Sequence, residues 1–259
     1  MHGRSPRIPS HSLRSSIQCS VQRIWAAHDL KPHDLKPHRT ETCKLSGDQH
    51  FEAKFWDVIG LYLDPPEKLV VLCCDEKTQG QALERTQPAL PLGLGHVHTK
   101  TYDDIRHGTI CLFAAMSYLE GKLIYRTEHQ HTHVEWLRFL KQLHREVPRG
   151  LDVHVIADNY ATHNHGTVKA WLKKHGRFQM HFTPTSSSWM NVVERFIGDL
   201  TEDGVREGSF TSVKELKDSI VAYLEQPNRA AKPYRWKASG AEILAKIQRA
   251  RQALEQSGS

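Results

Sequence analysis

The amino-acid sequence predicts an α/β fold with a mixed sheet flanked by helices. Two short and largely apolar runs, 68–74 and 152–157, are typical of strands that are buried on both faces. Between them, 109–119 and 122–129 flank Glu120-Gly121, which predicts an antiparallel hairpin. After the second run, helix-like and strand-like segments alternate, which favours parallel pairing. The prediction is therefore a five-stranded sheet that is antiparallel in one part and parallel in the other.

The N-terminal 48 residues predict an arm and a linker. Residues 1–20 are rich in Ser, Arg and Pro and show little apolar periodicity, so we expect disorder there. Residues 20–28 predict one short helix. The sequence His-Asp-Leu-Lys-Pro then occurs twice in succession, at 28–37, and prolines five residues apart exclude a regular element. We expect an extended linker that leads into the domain formed by 49–259.

Helices within 49–259 are predicted from apolar residues three and four positions apart. The first, Gln49–Leu63, ends at Asp64-Pro65-Pro66, because proline cannot continue a helix. Residues 80–100 contain Gly, Pro and His without a clear period, and they predict a long loop, with or without a short strand. The remaining predicted elements are helices at 134–147, 167–175, 188–200, 212–225 and 240–255 and a short strand at 178–182. The domain is therefore expected to end in a C-terminal helical extension.

Composition limits the classes of protein that fit. The chain has 259 residues, a formal net charge of +6 and a pI of about 9.0, which favours an anionic partner such as nucleic acid. Its 5 cysteines include no C-x-x-C pair, which argues against a disulfide framework and a cysteine zinc site. No apolar run approaches the ~20 residues that span a bilayer, and the N-terminus lacks a signal-peptide core. We expect a reduced, soluble, cytoplasmic protein.

Three acidic residues stand out by their positions relative to the predicted strands and helices. Asp75 and Asp158 come directly after the two apolar strands, and Glu194 lies on the helix predicted at 188–200. If the two strands are neighbours, both aspartates lie at the same edge of the sheet, where open α/β sheets bind ligands. An acid in such a place is also common as a turn former or helix cap. The turn or cap interpretation is weaker here, because two predicted strands both end in Asp and a third acid follows on a helix.

Grouped carboxylates suit metal-dependent chemistry on phosphodiesters. Close carboxylates repel one another and stay ionised only when cations neutralise them. Mg²⁺ prefers carboxylate oxygens and retains water and substrate phosphate in its shell. Two such ions about 3.5–4 Å apart stabilise the attacking and leaving oxygens of an in-line displacement. The three acids therefore predict a metal site for phosphoryl transfer.

Four stretches of the sequence resemble the bacterial insertion-sequence transposases of the mariner superfamily. The resemblance runs from about Val21 to the C-terminus, and the stretches occur in the order found in that family. They are Val70-Val-Leu-Cys-Cys-Asp-Glu-Lys-Thr-Gln79, Arg106-His-Gly-Thr-Ile-Cys-Leu-Phe-Ala-Ala115, Ala157-Asp-Asn-Tyr-Ala-Thr-His163 and His181-Phe-Thr-Pro-Thr-Ser-Ser-Ser-Trp-Met-Asn-Val-Val-Glu-Arg-Phe196.

The resemblance implies a ribonuclease-H-like DDE domain that cuts DNA and transfers strands at element ends. It implies that Asp75, Asp158 and Glu194 are catalytic and hold Mg²⁺ or Mn²⁺. The family spacing of about 35 residues between the last two acids is met, since 35 residues separate Asp158 from Glu194. It also implies double-stranded DNA, both transposon ends and target, as the partner, a homodimer, and association with the nucleoid.

Residues outside the acidic triad are predicted to contact DNA. The stretch 19–25 is similar to the last helix of the family's helix-turn-helix region, which makes Gln22 and Arg23 candidates for DNA contact. The earlier helices of that region have no counterpart here, so the chain resembles an N-terminally truncated member of the family. Lys77 is either a phosphate contact or a solvated loop lysine. Trp189 either stacks on a base or packs locally, and Arg195 follows Glu194 directly.

Histidines suggest a second, weaker metal hypothesis. His129, His131 and His133 alternate, and on a strand they would share one face and could bind zinc. The competing reading is a set of surface imidazoles in a chain with 18 histidines. His163, five residues after Asp158, is the histidine we expect nearest to the acidic site.

Three functions remain open from the sequence. The first is an active transposase domain, which the presence of all three acids favours. The second is a catalytically silent remnant that binds DNA or a transposase partner without cutting, which the missing upstream helices and the duplicated linker favour. The third is a general nuclease of the same fold, which would cleave DNA without regard to inverted-repeat sequence.

Overall fold

The computed structural model describes residues 45–86, 103–205, 208–233 and 235–257, all within the compact unit Leu45–Ser259. They form an α/β fold around one five-stranded sheet, with the order β3-β2-β1-β4-β5. The strands are β1 (Leu69–Arg85), β2 (Asp104–Ser117), β3 (Leu123–Glu128), β4 (Asp152–Ala157) and β5 (Phe178–Phe182). The helices are α1 (Phe51–Leu63), α2 (His133–Glu146), α3 (Gly166–Lys174), α4 (Val192–Asp199), α5 (Val213–Arg229) and α6 (Gly240–Ser257).

The sheet is mixed in the way that the sequence predicted. β2 pairs antiparallel with β1 and β3, whereas β4 pairs parallel with β1 and β5. The predicted fold class is therefore confirmed. The hairpin turn at Gly121 has φ +71, a conformation that glycine adopts without steric cost.

The first strand is much longer than predicted. We expected it to stop at Cys74 and expected a loop from residue 80, but β1 continues to Arg85 and pairs with β2 as far as Asp104. The extension is polar, so it lacks the apolar pattern on which the prediction relied; pairing with β2 satisfies its backbone instead. A register shift between Lys77 and Gly80 adds one residue to β1, and Gln79 there has φ +51.

The two faces of the sheet support two separate cores. Side chains alternate along β1, so Val71 and Cys73 face one side while Leu72 and Cys74 face the other. The first side packs against α1, α4 and α5, and we call it the α1 face. The second packs against α2 and α3, and we call it the α2 face. Burial on both faces explains why the start of β1 is continuously apolar.

The helix predicted at 188–200 is divided. Ser188–Met190 forms one 3₁₀ turn, Asn191 is extended at φ −88 and ψ 105, and α4 begins only at Val192. A tertiary hydrogen bond accompanies the break, because the buried Asn191 side chain donates from Nδ2 to the carbonyl of Cys74 at 2.8 Å. A π-helical turn, Leu200–Val205, follows α4.

Some sequence predictions fall outside the described residues. They include the arm and linker predictions up to residue 44, with Gln22 and Arg23, and most of the predicted loop at 80–100. Among the described cysteines, Cys73, Cys74 and Cys111 are buried and free. None of the described helices combines the length and apolarity needed to cross a membrane.

Candidate active site

Parallel pairing of β1 with β4 places two of the predicted acids side by side. The register runs from Leu69 opposite Asp152 to Cys73 opposite Ile156. Two residues further along each strand, the same register brings Asp75 next to Asp158. β4 ends at Ala157, so Asp158 lies at the strand end as predicted, whereas Asp75 lies within β1 and still pairs with Ala114 of β2.

Helix α4 carries the third acid towards this edge from the α1 face. Its start is fixed at two points: Asn191 Nδ2 donates to the carbonyl of Cys74, and Tyr62 Oη donates to the carbonyl of Met190 at 2.9 Å. Glu194 N donates to the carbonyl of Asn191 at 3.0 Å, within the first turn. Because Cys74 directly precedes Asp75, the Asn191 bond sets the distance between the helix and the first acid.

The charges of the three acids act on one another. Burial raises the pKa of Asp75 to about 7, against a hydrogen bond from the backbone N–H of Glu76, and the negative charges of Glu76, Glu194 and Asp158 raise it further. Asp158 Oδ1 and Glu194 Oε2 are both buried, and neither has a hydrogen bond of good geometry with any described residue. Such a group of carboxylates fits a bound cation, which would neutralise the repulsion and fill the open oxygen positions.

A second acid, Glu76, meets His163 on the other face of the sheet. Residues alternate along β1, so Glu76 points to the α2 face while Asp75 points to the α1 face. His163 is 1% exposed, and its ring lies 4.3 Å from that of Trp136, measured between centroids. Its Nε2 lies 3.2 Å from Glu76 Oε2 and its Nδ1 lies 3.0 Å from Asp158 Oδ1. Asp158 therefore lies between Asp75 and Glu194, on the α1 face, and Glu76, on the α2 face.

The two acidic side chains beside His163 favour its protonated form. Burial lowers the pKa of His163, but the contacts with Asp158 and Glu76 and the charge of Glu76 outweigh burial and raise it to about 10. Glu76, Asp158 and His163 also offer ligand atoms within 4.8 Å of one another, a spacing compatible with a metal ion. A protonated imidazole has no free lone pair. In that form His163 pairs with Glu76 and Asp158.

The remaining predicted contacts lie around this centre. Lys77 is half-buried in β1, two residues after Asp75 and on the same side of the strand. Trp189 is 45% exposed in the 3₁₀ turn before α4, and Arg195 is exposed on α4. The structure describes all three of these residues, whereas Gln22 and Arg23 lie outside the described residues.

The histidine row does not form a metal site in the part of the chain that the structure describes. His129 and His131 lie in the loop after β3, and His133 opens α2, so the shared strand face assumed for zinc does not exist. His131 Nδ1 lies 3.8 Å from the sulfur of Cys111, and the ring of His133 stacks on that of His165 at 3.6 Å.

Sequence reasoning missed Glu76 and Asn191. Glu76 adjoins Asp75, but its position on the opposite face shows only when Asp75 is known to lie inside a strand. Asn191 was read as an ordinary helical residue, although a helix-breaking Asn three residues before Glu194 is a usable signal. His163 was expected near the site, and the structure places it in contact with Asp158.

The fold and this group of acids define a DDE-type domain of ribonuclease-H-like architecture. Residues 70–217, more than half of the chain, match the family described as DDE superfamily endonuclease. The chain therefore belongs to the DDE superfamily endonucleases. The sequence matches none of the curated proteins with which it was compared.

Solved structures with the same fold come from the mariner transposase Mos1. The pre-cleavage Mos1 transpososome is 11% identical, with a TM-score of 0.54 over 87% of this chain and 74% of that chain. The Mos1 paired-end complex with Mn is 12% identical, with a TM-score of 0.52 over the same shares. The Mos1 catalytic domain is 11% identical, with a TM-score of 0.50 over 72% of this chain and 86% of that one. At these identities the likeness concerns the fold.

Proposed function

We propose that this chain is the catalytic domain of a DNA transposase of the bacterial insertion-sequence type. It would cut DNA at element ends and transfer the freed strand to target DNA. The observation that carries the proposal is the group formed by Asp75, Asp158 and Glu194, in which burial and the neighbouring negative charges raise the pKa of Asp75 and the buried Glu194 Oε2 has no hydrogen-bond partner among the described residues. Membership of the DDE superfamily supports the same chemistry.

The donor set suits Mg²⁺ or Mn²⁺, which prefer carboxylate oxygens. When bound, the metal would activate the attacking oxygen and stabilise the leaving oxygen of a phosphodiester. Within the chain, Asp75, Asp158 and Glu194 supply the ligands. His163 fixes the orientation of Asp158, and Asn191 fixes the start of α4 and with it Glu194.

The partners follow from the same proposal. The net charge of +6 supports binding to double-stranded DNA, both element ends and target. Lys77, Trp189 and Arg195 are proposed contacts near the acids, and Gln22 and Arg23 are proposed contacts in the N-terminal region. The Mos1 structures include a paired-end complex, which supports a homodimer, and DNA as substrate supports a cytoplasmic, nucleoid-associated protein. Residues 1–48 are proposed to be the arm and linker, and 49–259 the catalytic domain.

The test is metal-dependent cleavage of a plasmid that carries the genomic DNA flanking the coding sequence. Cleavage at the flanks in Mg²⁺ or Mn²⁺ is expected, and Glu194→Gln should reduce it by at least about 1000-fold, because one metal ligand is lost. Asp199→Asn, on the exposed side of the same helix, is the matched control and should leave cleavage unchanged.

Each other outcome has a defined meaning. Cleavage that ignores the flanking sequence would identify a general nuclease of this fold. A folded protein that binds the plasmid but shows no metal-dependent cleavage would identify a silent remnant. Equal cleavage by Glu194→Gln and the unchanged chain would remove Glu194 from the site.

A further inference from the structure

An aromatic stack runs from the interior to the surface beside Glu194. Tyr118 and Tyr62 are buried, with ring centroids 4.6 Å apart, and Trp236 stacks on Tyr62 at 5.5 Å with 18° between the planes. Trp189 lies at the outer end, with its centroid 6.3 Å from that of Trp236. The backbone N–H of Trp236 also donates to Tyr118 Oη at 2.8 Å. Because the core holds the inner rings, the two tryptophans form a rigid aromatic surface.

An open groove of about 520 Å³ lies along this surface. Both tryptophans and Glu194 line it, so the groove is continuous with the candidate active site. Trp189 is 45% exposed there, which leaves a large part of its ring without a protein contact. Exposed tryptophan is the strongest stacking side chain that a protein can offer to a ligand ring.

Two buried polar atoms of the groove residues have no partner. Asn191 is 3% exposed, and although its Nδ2 is bonded to Cys74, no described residue bonds its Oδ1. The indole N–H of Trp236 is likewise buried without a partner among the described residues. An unpaired buried donor and acceptor cost free energy, which a ligand with both kinds of group would recover. One edge of a nucleobase carries both.

Positive charge continues the groove on its outer side. A neighbouring depression of about 680 Å³ shares Arg195 and Trp236 with the groove and adds Arg235 and Lys237. All three cationic residues are exposed. No described carboxylate forms an ion pair with any of them, so their charges are open to a partner. Aromatic faces next to unpaired cations are the combination that proteins use to hold single strands of nucleic acid.

We propose that this groove binds an unpaired nucleotide of the DNA strand that enters the active site. The base stacks on Trp189 and Trp236, and its polar edge meets Asn191. The adjoining phosphates contact Arg195, Arg235 and Lys237. A base inside a duplex has its faces covered by its neighbours, so only an unstacked base fits this surface. The inference rests on the proposed function, since it requires DNA at Glu194.

The experiment measures binding of the full chain to a fluorescein-labelled single-stranded oligonucleotide by fluorescence anisotropy, in EDTA. Trp189→Ala should weaken binding by roughly 5- to 100-fold, the effect of losing one stacked base, and Trp189→Phe should retain most of the affinity. Trp56→Ala is the matched control, because Trp56 is 42% exposed on α1 and does not line the groove. Its affinity should equal that of the unchanged chain.

Binding of a blunt duplex of the same sequence should depend much less on Trp189. Unchanged affinity of Trp189→Ala for the single strand, or an equal loss in Trp56→Ala, would overturn the proposal. Circular dichroism melting of each variant excludes unfolding as the cause of a loss. Since the assay contains no divalent metal, it is independent of cleavage. If the unchanged chain shows metal-dependent cleavage but Trp189→Ala binds the single strand as tightly as the unchanged chain does, the proposed function stands and the proposal for this groove fails.

Discussion

Asp75 makes the metal-free protein sensitive to pH, because a buried carboxyl group with acidic neighbours resists ionisation. Its pKa is raised from 3.8 to about 7, so the folded protein binds this proton more tightly than the unfolded chain does. The stabilising contribution is therefore complete below pH 3.8 and is lost as the pH rises through about 7. The difference corresponds to about 4 kcal/mol at 1.36 kcal/mol per pKa unit.

We expect Asp75→Asn to raise the melting temperature in EDTA at pH 8 and to change it little at pH 4, because asparagine carries no charge at either pH. Mg²⁺ or Mn²⁺ should raise the melting temperature of the unchanged chain more at pH 8 than at pH 5, where the site is protonated. Differential scanning calorimetry measures both effects. A melting temperature of Asp75→Asn that stays equal to that of the unchanged chain at every pH would contradict this account.

His163 contributes stability through its two acidic contacts. Its side chain is fully buried against Glu76, whose side chain is 7% exposed. Removing one partner from such a pair leaves a buried charge uncompensated, so His163→Gln should destabilise the fold by about 3–5 kcal/mol in urea unfolding. The double variant Glu76→Gln/His163→Gln should recover part of that loss, since no buried charge then remains on Glu76. Strictly additive losses would show that the two side chains do not interact.

At the scale of elements, the β2–β3 turn fixes the segment that carries Trp236. A Cβ on Gly121 would lie 1.9 Å from the carbonyl oxygen of Lys232, and Gly121 has φ +71. Neither the backbone conformation nor the space admits another residue, so the chain between α5 and α6 is held closely against this turn. Asn228 strengthens the junction, since its side chain bonds both the N–H and the carbonyl of Leu123.

Gly121→Ala should therefore destabilise the protein by about 3 kcal/mol or more and displace Trp236 from its stack. Gly60→Ala is the contrasting control, because Gly60 lies within α1 and has nothing within 4 Å of its Cβ position. That change should stabilise the helix by about 0.5–1 kcal/mol. Urea unfolding gives both values, and tryptophan fluorescence of the folded state reports the displacement. Equal stability of the two variants would contradict the close approach seen at Lys232.

At the scale of the whole molecule, the net charge of +6 predicts DNA binding that weakens as salt increases. Arg195→Gln should reduce the slope of log K against log salt by about 1 if Arg195 contacts one phosphate. Arg149→Gln should leave the slope unchanged, because Arg149 is exposed just before β4, at the sheet edge opposite Asp158. Anisotropy titrations at several salt concentrations measure the slopes. Equal slopes for both variants would remove Arg195 from the DNA-binding surface.

The order and type of the elements could be read from local patterns. Buried strands and amphipathic helices each repeat at their own period, so most of the strands and helices of 49–259 were predicted within a few residues, the exceptions being the end of β1 and the divided helix at 188–200. The polar half of β1 has no such pattern. It is a strand because it pairs with β2, and no local feature of the sequence indicates that pairing. The break at Asn191 depends on a bond to Cys74, 117 residues away in the chain.

The sequence by itself determined the α/β class, the mixed sheet and the three acids as candidates, because each depends on residue type and on period along the chain. Only the tertiary structure decided which side chains meet. The register of β1 against β4 brings Asp75 beside Asp158, and alternation inside β1 turns Glu76 towards His163 on the other face. Contacts between distant strands depend on hydrogen-bond register and packing across the sheet, and no local period encodes either of them.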